Sequence, residues 1–425
     1  MGGPTWLLAR LVVRPPTLRR LPRPLAPRRS LAMVKVGRFS SRGLVVGVIL
    51  STGLVVAALG IWKNWFGLRR MLYLDRRIHA LTFPQPGQVL QRGADALATV
   101  PLTGRVGWLA RTVEVATTQA DDLDVAEHEW QVLGSPTRTS FQGRLALPTG
   151  CSRLFVRVGE PRPPQAFNHV ETCEVCVGEV FVVAGQSNAA GSCATLFTAR
   201  SPFVRTGQLD DADRLVWKLG DDPQTANGGG SVWPLVGDAL VERLEVPVGF
   251  VNLAVGGSSI RDWQPGTANF TRLVQTLRAL GPTGARAILW HQGESDAGMT
   301  ADDYARYLRA LITATHQALG TSAVPWVVAQ ASFKDGQTYD GVRAGQQQVW
   351  ASGLARRGPD TDQLGPALRQ PDRVHFNAEG TRAAAGLWTA AILEAIFQAP
   401  PPADAPPVSG GSAKLSPETG RHRPF

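Results

Sequence analysis

VGEVFVVAGQSNAAG, residues 177–191, is the stretch on which the fold turns. Val177–Ala184 is an apolar run broken only by Gly178 and Glu179, short enough for a strand buried on both faces, and it ends in Gly185-Gln186-Ser187-Asn188, where small and polar residues suit a strand-to-helix turn. Downstream, Val246–Leu253, Ala285–Trp290 and Val324–Gln330 read as further buried strands. Leu235–Leu244, Phe270–Leu280, Ala301–Leu319, Gly341–Leu354 and Ala378–Phe397 carry the apolar spacing of amphipathic helices. This alternation predicts parallel strands with crossover helices, a three-layer α/β/α domain over residues 176–398. In such sheets reactive groups collect just beyond the carboxyl ends of the strands.

Upstream, the texture is different. From Phe83 to Val175, short alternating runs such as Thr112-Val-Glu-Val, Trp130-Gln-Val-Leu and Leu154-Phe-Val-Arg-Val are separated by Gly, Pro, Ser and Asp. They predict a β-sandwich accessory domain over residues 80–175, in which His128 and His169 read as surface or packing histidines.

The chain has 425 residues and a formal charge of +10, but the charge is concentrated at one end. Residues 1–79 hold fifteen Lys or Arg against the single acid Asp75, a balance of +14, which leaves 10 − 14 = −4 for residues 80–425. An acidic body removes the main support for a nucleic-acid partner. Gly43–Trp62 is a run of 20 uncharged residues bracketed by Arg42 and Lys63, long enough to span a bilayer. The sequence therefore predicts a basic, disordered arm over residues 1–42 and a transmembrane signal-anchor over 43–62, with cleavage near Ala57-Ala58 as the other reading. Ten basic residues precede the segment and five follow it, which places the body on the exoplasmic side. Residues 399–425, rich in Pro and Gly, read as a disordered tail.

An exported body permits disulfides among Cys151, Cys173, Cys176 and Cys193. Cys173 and Cys176 lie three apart on a strand and so face opposite sides, which leaves buried thiols or a bridge to Cys151. No second pair and no nearby His accompany them, so no metal site is expected.

Three strand ends carry polar loops: Gly185-Gln186-Ser187-Asn188, Gly256-Gly257-Ser258-Ser259 and His291-Gln292-Gly293-Glu294-Ser295-Asp296. A fourth piece, Asp372-Arg-Val-His375, precedes the last helix. Acyl transfer needs a nucleophile, a base, an orienter for the base and donors aimed at the developing oxyanion. Ser187 fits the first role, His375 the second and Asp372 the third. The backbone N–H groups of Ser187 and of Gly257 or Gly256, with the Gln292 amide, fit the fourth. The chemistry requires no cofactor.

These blocks, with NLAVGGSSIRDW, LWHQGESD and DRVHFNAEG, resemble the sialate O-acetylesterase-like branch of the SGNH hydrolases, also grouped as carbohydrate esterase family six. The resemblance covers roughly residues 177–397. It implies the same roles for Ser187, Gly257 or Gly256, Gln292, Asp372 and His375, with Gln186, Asn188, Glu294 and Asp296 supporting. It also implies a serine esterase that removes O-acetyl groups from carbohydrate. The sequence departs from the family at Ala189-Ala190, where many members have Met and a bulkier residue. Two other readings stay open: a catalytically silent carbohydrate-binding envelope protein, and an esterase acting on non-sugar esters.

Overall fold

The computed structural model describes residues 76–119, 129–159, 170–210, 214–281 and 284–398, together with Gly60. The arm 1–42, the apolar segment 43–62 apart from Gly60, the tail 399–425, His128 and His169 lie outside the described residues. Among the described residues no helix is long and apolar enough to cross a membrane.

The first seven strands are β1 Ile78–Phe83, β2 Gln88–Gln91, β3 Leu97–Val106, β4 Val113–Gln119, β5 Gln131–Gly134, β6 Ser140–Pro148 and β7 Gly150–Val158. Strands β1, β3 and β6 form one antiparallel sheet, and strict alternation along β3 turns Ala98, Val100, Leu102 and Val106 inward. They meet Val113, Val115, Leu154 and Val156 from a second sheet in a common apolar core, as a sandwich requires.

That second sheet is continuous with the rest of the molecule through β8, Glu171–Gly185. The first half of β8 pairs with β7 and β2, and its second half pairs with parallel strands downstream. The boundary expected between residues 175 and 176 thus falls inside one 15-residue strand. Cys151 and Cys176 face each other across β7 and β8 and form a disulfide, while Cys173 points into the sandwich core as a free thiol. Burial raises that thiol to about 12, so it stays protonated and inert.

Beyond β8 come α1 Ser187–Ala190, β9 Val204–Leu209, β10 Leu215–Leu219, α2 Trp233–Leu244, β11 Val248–Asn252, α3 Ala268–Ala279, β12 Ala287–His291, α4 Ala301–Leu319, β13 Trp326–Gln330, α5 Asp340–Ala351, β14 Arg356–Asp360 and α6 Ala378–Ile392. The sheet order is β10-β9-β11-β8-β12-β13-β14, all parallel except the edge strand β10. On one face Val180, Val182 and Ala184 pack with α3, α4 and α5; on the other Phe181 and Val183 pack with α2 and α6. The sheet is mixed and its helices cover both faces.

Strands β9, β10 and β14 escape a reading based on apolar runs. Strand β14 is Arg356-Arg-Gly-Pro-Asp360, a composition that only an edge position tolerates. The last helix changes to a π turn over Leu393–Gln398 instead of continuing as α.

Glu179, 0% exposed, fastens the sandwich to the α/β sheet. Its carboxylate accepts from Arg92 Nε at 2.7 Å, Arg286 Nε at 2.5 Å and Gln91 Nε2 at 2.9 Å. Removing the acid leaves two guanidinium groups facing each other without a counter-charge. Glu179→Ala is expected to lose about 3 kcal/mol of stability in urea unfolding, and a loss below about 1 kcal/mol would mean that the cluster does not join the two halves.

Candidate active site

Strand β8 ends at Gly185, whose backbone lies against His291 of the neighbouring β12 so closely that a Cβ would collide with the His291 carbonyl. Its φ of +131° also favours glycine. This crossing lets Gln186 donate its N–H to His291 O at 3.0 Å and starts α1 at once, with Ser187 as its first residue. The Ser187 N–H is one of the donors that a helix start leaves without an intrahelical partner.

Asp372, Val374 and His375 bend back toward that serine. Arg373 adopts φ +59°, and the turn brings Asp372 Oδ1 to the N–H groups of Val374 at 2.9 Å and His375 at 3.0 Å. Asp372 Oδ2 lies 2.7 Å from His375 Nδ1, and His375 Nε2 lies 2.8 Å from Ser187 Oγ. Partial burial pushes the Asp372 carboxyl up, but the two N–H groups and the imidazole outweigh it and hold the carboxyl below its ordinary range. An ionised carboxylate only accepts, so Nδ1 carries the proton and Nε2 is left to accept from the Ser187 hydroxyl. The three residues expected to act together form one chain of hydrogen bonds.

Around them is an open cavity of 340 Å³, whose lining includes Ser187, Gly256, Gly257, Glu294 and His375. Gly257 has φ +72°, lines the same cavity as Ser187, and a side chain there would meet only open space, so the backbone itself forms that part of the wall. Gly256 is needed for a different reason, because Asn227 packs against it where a Cβ would be.

Gln292 is not where the sequence reading put it. It is 0% exposed, and its amide nitrogen donates to Asp296 Oδ2 at 2.6 Å and Gln186 Oε1 at 3.1 Å, while Oε1 accepts from Tyr304 at 2.9 Å. With both amide hydrogens used inside the protein, Gln292 braces the loops around the cavity and leaves no donor free to enter it. Asp296 extends the brace by accepting from Ser259 Oγ at 2.6 Å and Ile260 N at 2.8 Å, which ties the Gly257 loop to the third loop. Gln186 Oε1 accepts from Gly293 and Ser295 as well.

Asn188 clamps the Ser187 turn to the His375 loop. Its Nδ2 donates to Glu294 Oε1 at 2.8 Å and to Val374 O at 3.3 Å, and its Oδ1 accepts from Phe376 N at 3.3 Å, so it holds the backbone on both sides of His375. Arg369 holds the same loop from behind. Buried between Phe333 and Phe376, it donates to the carbonyls of Thr361 at 2.9 Å, Leu364 at 3.0 Å and Val374 at 2.7 Å. The sequence reading missed Arg369, as well as Asn227, Ser192, Ser295 and Lys334 of the cavity wall. Asn227 belongs to a loop eight residues past β10, Lys334 follows β13 without a motif around it, and a buried arginine that serves carbonyls leaves no motif. Among the described residues no group of three or more His, Cys, Asp or Glu is disposed to hold a metal ion.

Residues 177–394, just over half of the chain, match the family described as carbohydrate esterase, sialic acid-specific acetylesterase. The chain belongs to that family. A probable carbohydrate esterase of Arabidopsis thaliana is 31% identical over 150 residues, which make up 33% of this chain and 55% of that relative, so the match spans about half of the relative's length. A carbohydrate acetylesterase from Xanthomonas citri has the same fold at 20% identity, with a TM-score of 0.52 over 75% of this chain and 76% of its own. The family match contains every residue of the hydrogen-bonded chain and its braces, from Gln186 to His375.

Two outcomes are expected from this esterase-family site. Asn188→Ala frees the base loop and should lower kcat about 10- to 100-fold in steady-state kinetics with little change in KM. An unchanged kcat would remove Asn188 from the positioning set. The second concerns stability and pH. Burial raises the Glu294 carboxyl, against the pull of its bond from Asn188. The folded state therefore keeps a proton that the unfolded chain releases above about 4.5. That contribution is present below the unfolded value and is lost as pH rises through the folded one. His291 acts oppositely: burial and then Arg369 lower it to about 3, so its contribution is present above 6.5 and fades as pH falls. Glu294→Gln, measured by urea unfolding from pH 5 to pH 8, should gain on the wild type as pH rises; a variant that instead loses ground would contradict a protonated Glu294.

Proposed function

We propose that the chain is a serine esterase that removes O-acetyl groups from carbohydrate, of the sialate O-acetylesterase or acetylxylan-esterase type, through an acetyl-enzyme. The observation that carries this reading is the unbroken chain from Asp372 Oδ2 through the His375 ring to Ser187 Oγ, at 2.7 and 2.8 Å. In the first step the Ser187 Oγ–H proton passes to His375 Nε2 as Oγ bonds to the acetyl carbon. The carbonyl oxygen becomes an oxyanion facing the Ser187 and Gly257 N–H groups. His375 then gives the proton to the sugar oxygen, the C–O bond breaks and the sugar alcohol leaves. In the second step water loses its proton to His375 and attacks the same carbon, releasing acetate and returning the proton to Ser187. Asp372 stabilises the imidazolium in both steps without taking up a proton.

Supporting the carbohydrate assignment are the family and the relatives, a carbohydrate esterase of Arabidopsis and a carbohydrate acetylesterase of Xanthomonas. The proposal extends to location, with residues 43–62 anchoring the chain and the body on the exoplasmic side. A 20-residue uncharged stretch with basic flanks supports the anchor, and the Cys151–Cys176 disulfide favours an oxidising compartment. No nucleic-acid partner is proposed.

Hydrolysis of p-nitrophenyl acetate tests the machinery. Ser187→Ala or His375→Ala should lower kcat by about 10⁴-fold or more, and Asp372→Asn by up to about 10⁴-fold. Turnover that survives Ser187→Ala would refute this nucleophile.

A further inference from the structure

A second cavity, 610 Å³ in volume, shares Asn227 and Gly256 with the catalytic one. Its floor is formed by the ends of β9, β10 and β11, and its wall by the loop that carries Asn227. We propose that this cleft binds the polyhydroxylated part of the substrate, a sugar unit beyond the acetylated one, with Asn227, Gln208 and Lys218 as the residues that determine affinity for it. The proposal rests on the esterase reading above and adds where the carbohydrate lies.

The chemistry of the cleft suits hydroxyl groups better than an acyl chain. A sugar hydroxyl both donates and accepts, so it is recognised by donors and acceptors set side by side. The cleft offers such a set. Gln208 Nε2 and Lys218 Nζ both donate to Pro223 O, at 3.1 and 3.0 Å, which plants the two side chains next to each other. Lys218 keeps further N–H donors and Gln208 keeps its carbonyl oxygen as an acceptor. Asn227 uses Nδ2 on Gly191 O at 3.1 Å and Ser192 Oγ at 2.8 Å, which leaves its Oδ1 as an acceptor at the junction of the cavities. Among the described residues no Asp or Glu lines the cleft.

The platform is rigid, as a binding site needs to be. Asp222 accepts from Ser231 N at 2.8 Å, Ser231 Oγ at 2.7 Å and Phe197 N at 3.1 Å, pinning both ends of the loop. Thr225 Oγ1 donates to Ala190 O at 2.9 Å, and Ser192 Oγ donates to Ser187 O at 3.0 Å. The loop is thereby fixed to the turn that bears the nucleophile. A sugar held against Asn227 would be in register with Ser187.

The test uses the full chain in two arms. In the first, Gln208→Ala, Lys218→Ala and the double variant are assayed on p-nitrophenyl acetate and on acetylated oligosaccharides of xylose, N-acetylglucosamine and sialyllactose. Expected is an unchanged kcat/KM on p-nitrophenyl acetate and a KM raised about tenfold or more on at least one acetylated oligosaccharide. In the second, the deacetylated oligosaccharides are titrated calorimetrically into Ser187→Ala protein, with and without the two substitutions. Binding that the substitutions weaken by a similar factor supports the subsite. Equal KM with and without the substitutions, absence of binding across the panel, or a substitution that changes only the preference for longer p-nitrophenyl acyl esters would each overturn it. Wild-type protein inactive on p-nitrophenyl acetate would instead count against the esterase reading itself.

Discussion

Strand β8 is the constraint on which the rest of the molecule depends. Fifteen residues long, it is an edge-to-edge partner of the sandwich strands at its start and a central strand of the parallel sheet at its end, and it delivers Ser187 at its tip. A strand fixed at both halves cannot slide by one residue without exchanging Val180 and Val182 for Phe181 and Val183 between the two helical layers. The position of Ser187 is therefore set by packing that begins far from it. The disulfide and the Glu179 cluster both lie on this strand and both join it to neighbours from the sandwich half.

Around the strand tip, function is divided between groups that face the cavity and groups that hold them. Ser187, His375 and the Gly257 backbone line it. Gln292, Asp296, Gln186, Asn188, Glu294 and Arg369 hold, each through hydrogen bonds to backbone or side chain of another loop. The holders are nearly all buried, with carboxyl, amide and guanidinium groups used on protein partners. Low dielectric makes these bonds strong and makes any lost partner costly, so the proposed oxyanion donors are held in a fixed geometry.

The α/β core could be read from sequence because its signals are local: β8, β11, β12 and β13 are apolar runs, and α4 has the residues expected, Ala301–Leu319. Strand β14 could not, since Arg356-Arg-Gly-Pro-Asp360 is a strand only because β13 offers it an edge. At the site, Ser187 is legible from residue type and position after a strand, and Asp372 and His375 from their spacing in the loop before the last helix. The orientation of Gln292 does not, because an amide fits an oxyanion hole or a buried brace equally well, and only Asp296, Gln186 and Tyr304 around it decide which. Asn227 depends likewise on long-range contacts, with Gly191, Ser192 and Gly256.

The central claim is that one hydroxyl carries the acetyl group between the two half-reactions. Rapid acid quenching during turnover of an acetyl ester, followed by peptide mass spectrometry, tests it directly. The account predicts an acetyl adduct on the peptide containing Ser187, formed and lost on the time scale of turnover. Turnover with that peptide unmodified, or with the adduct on another residue, would contradict it.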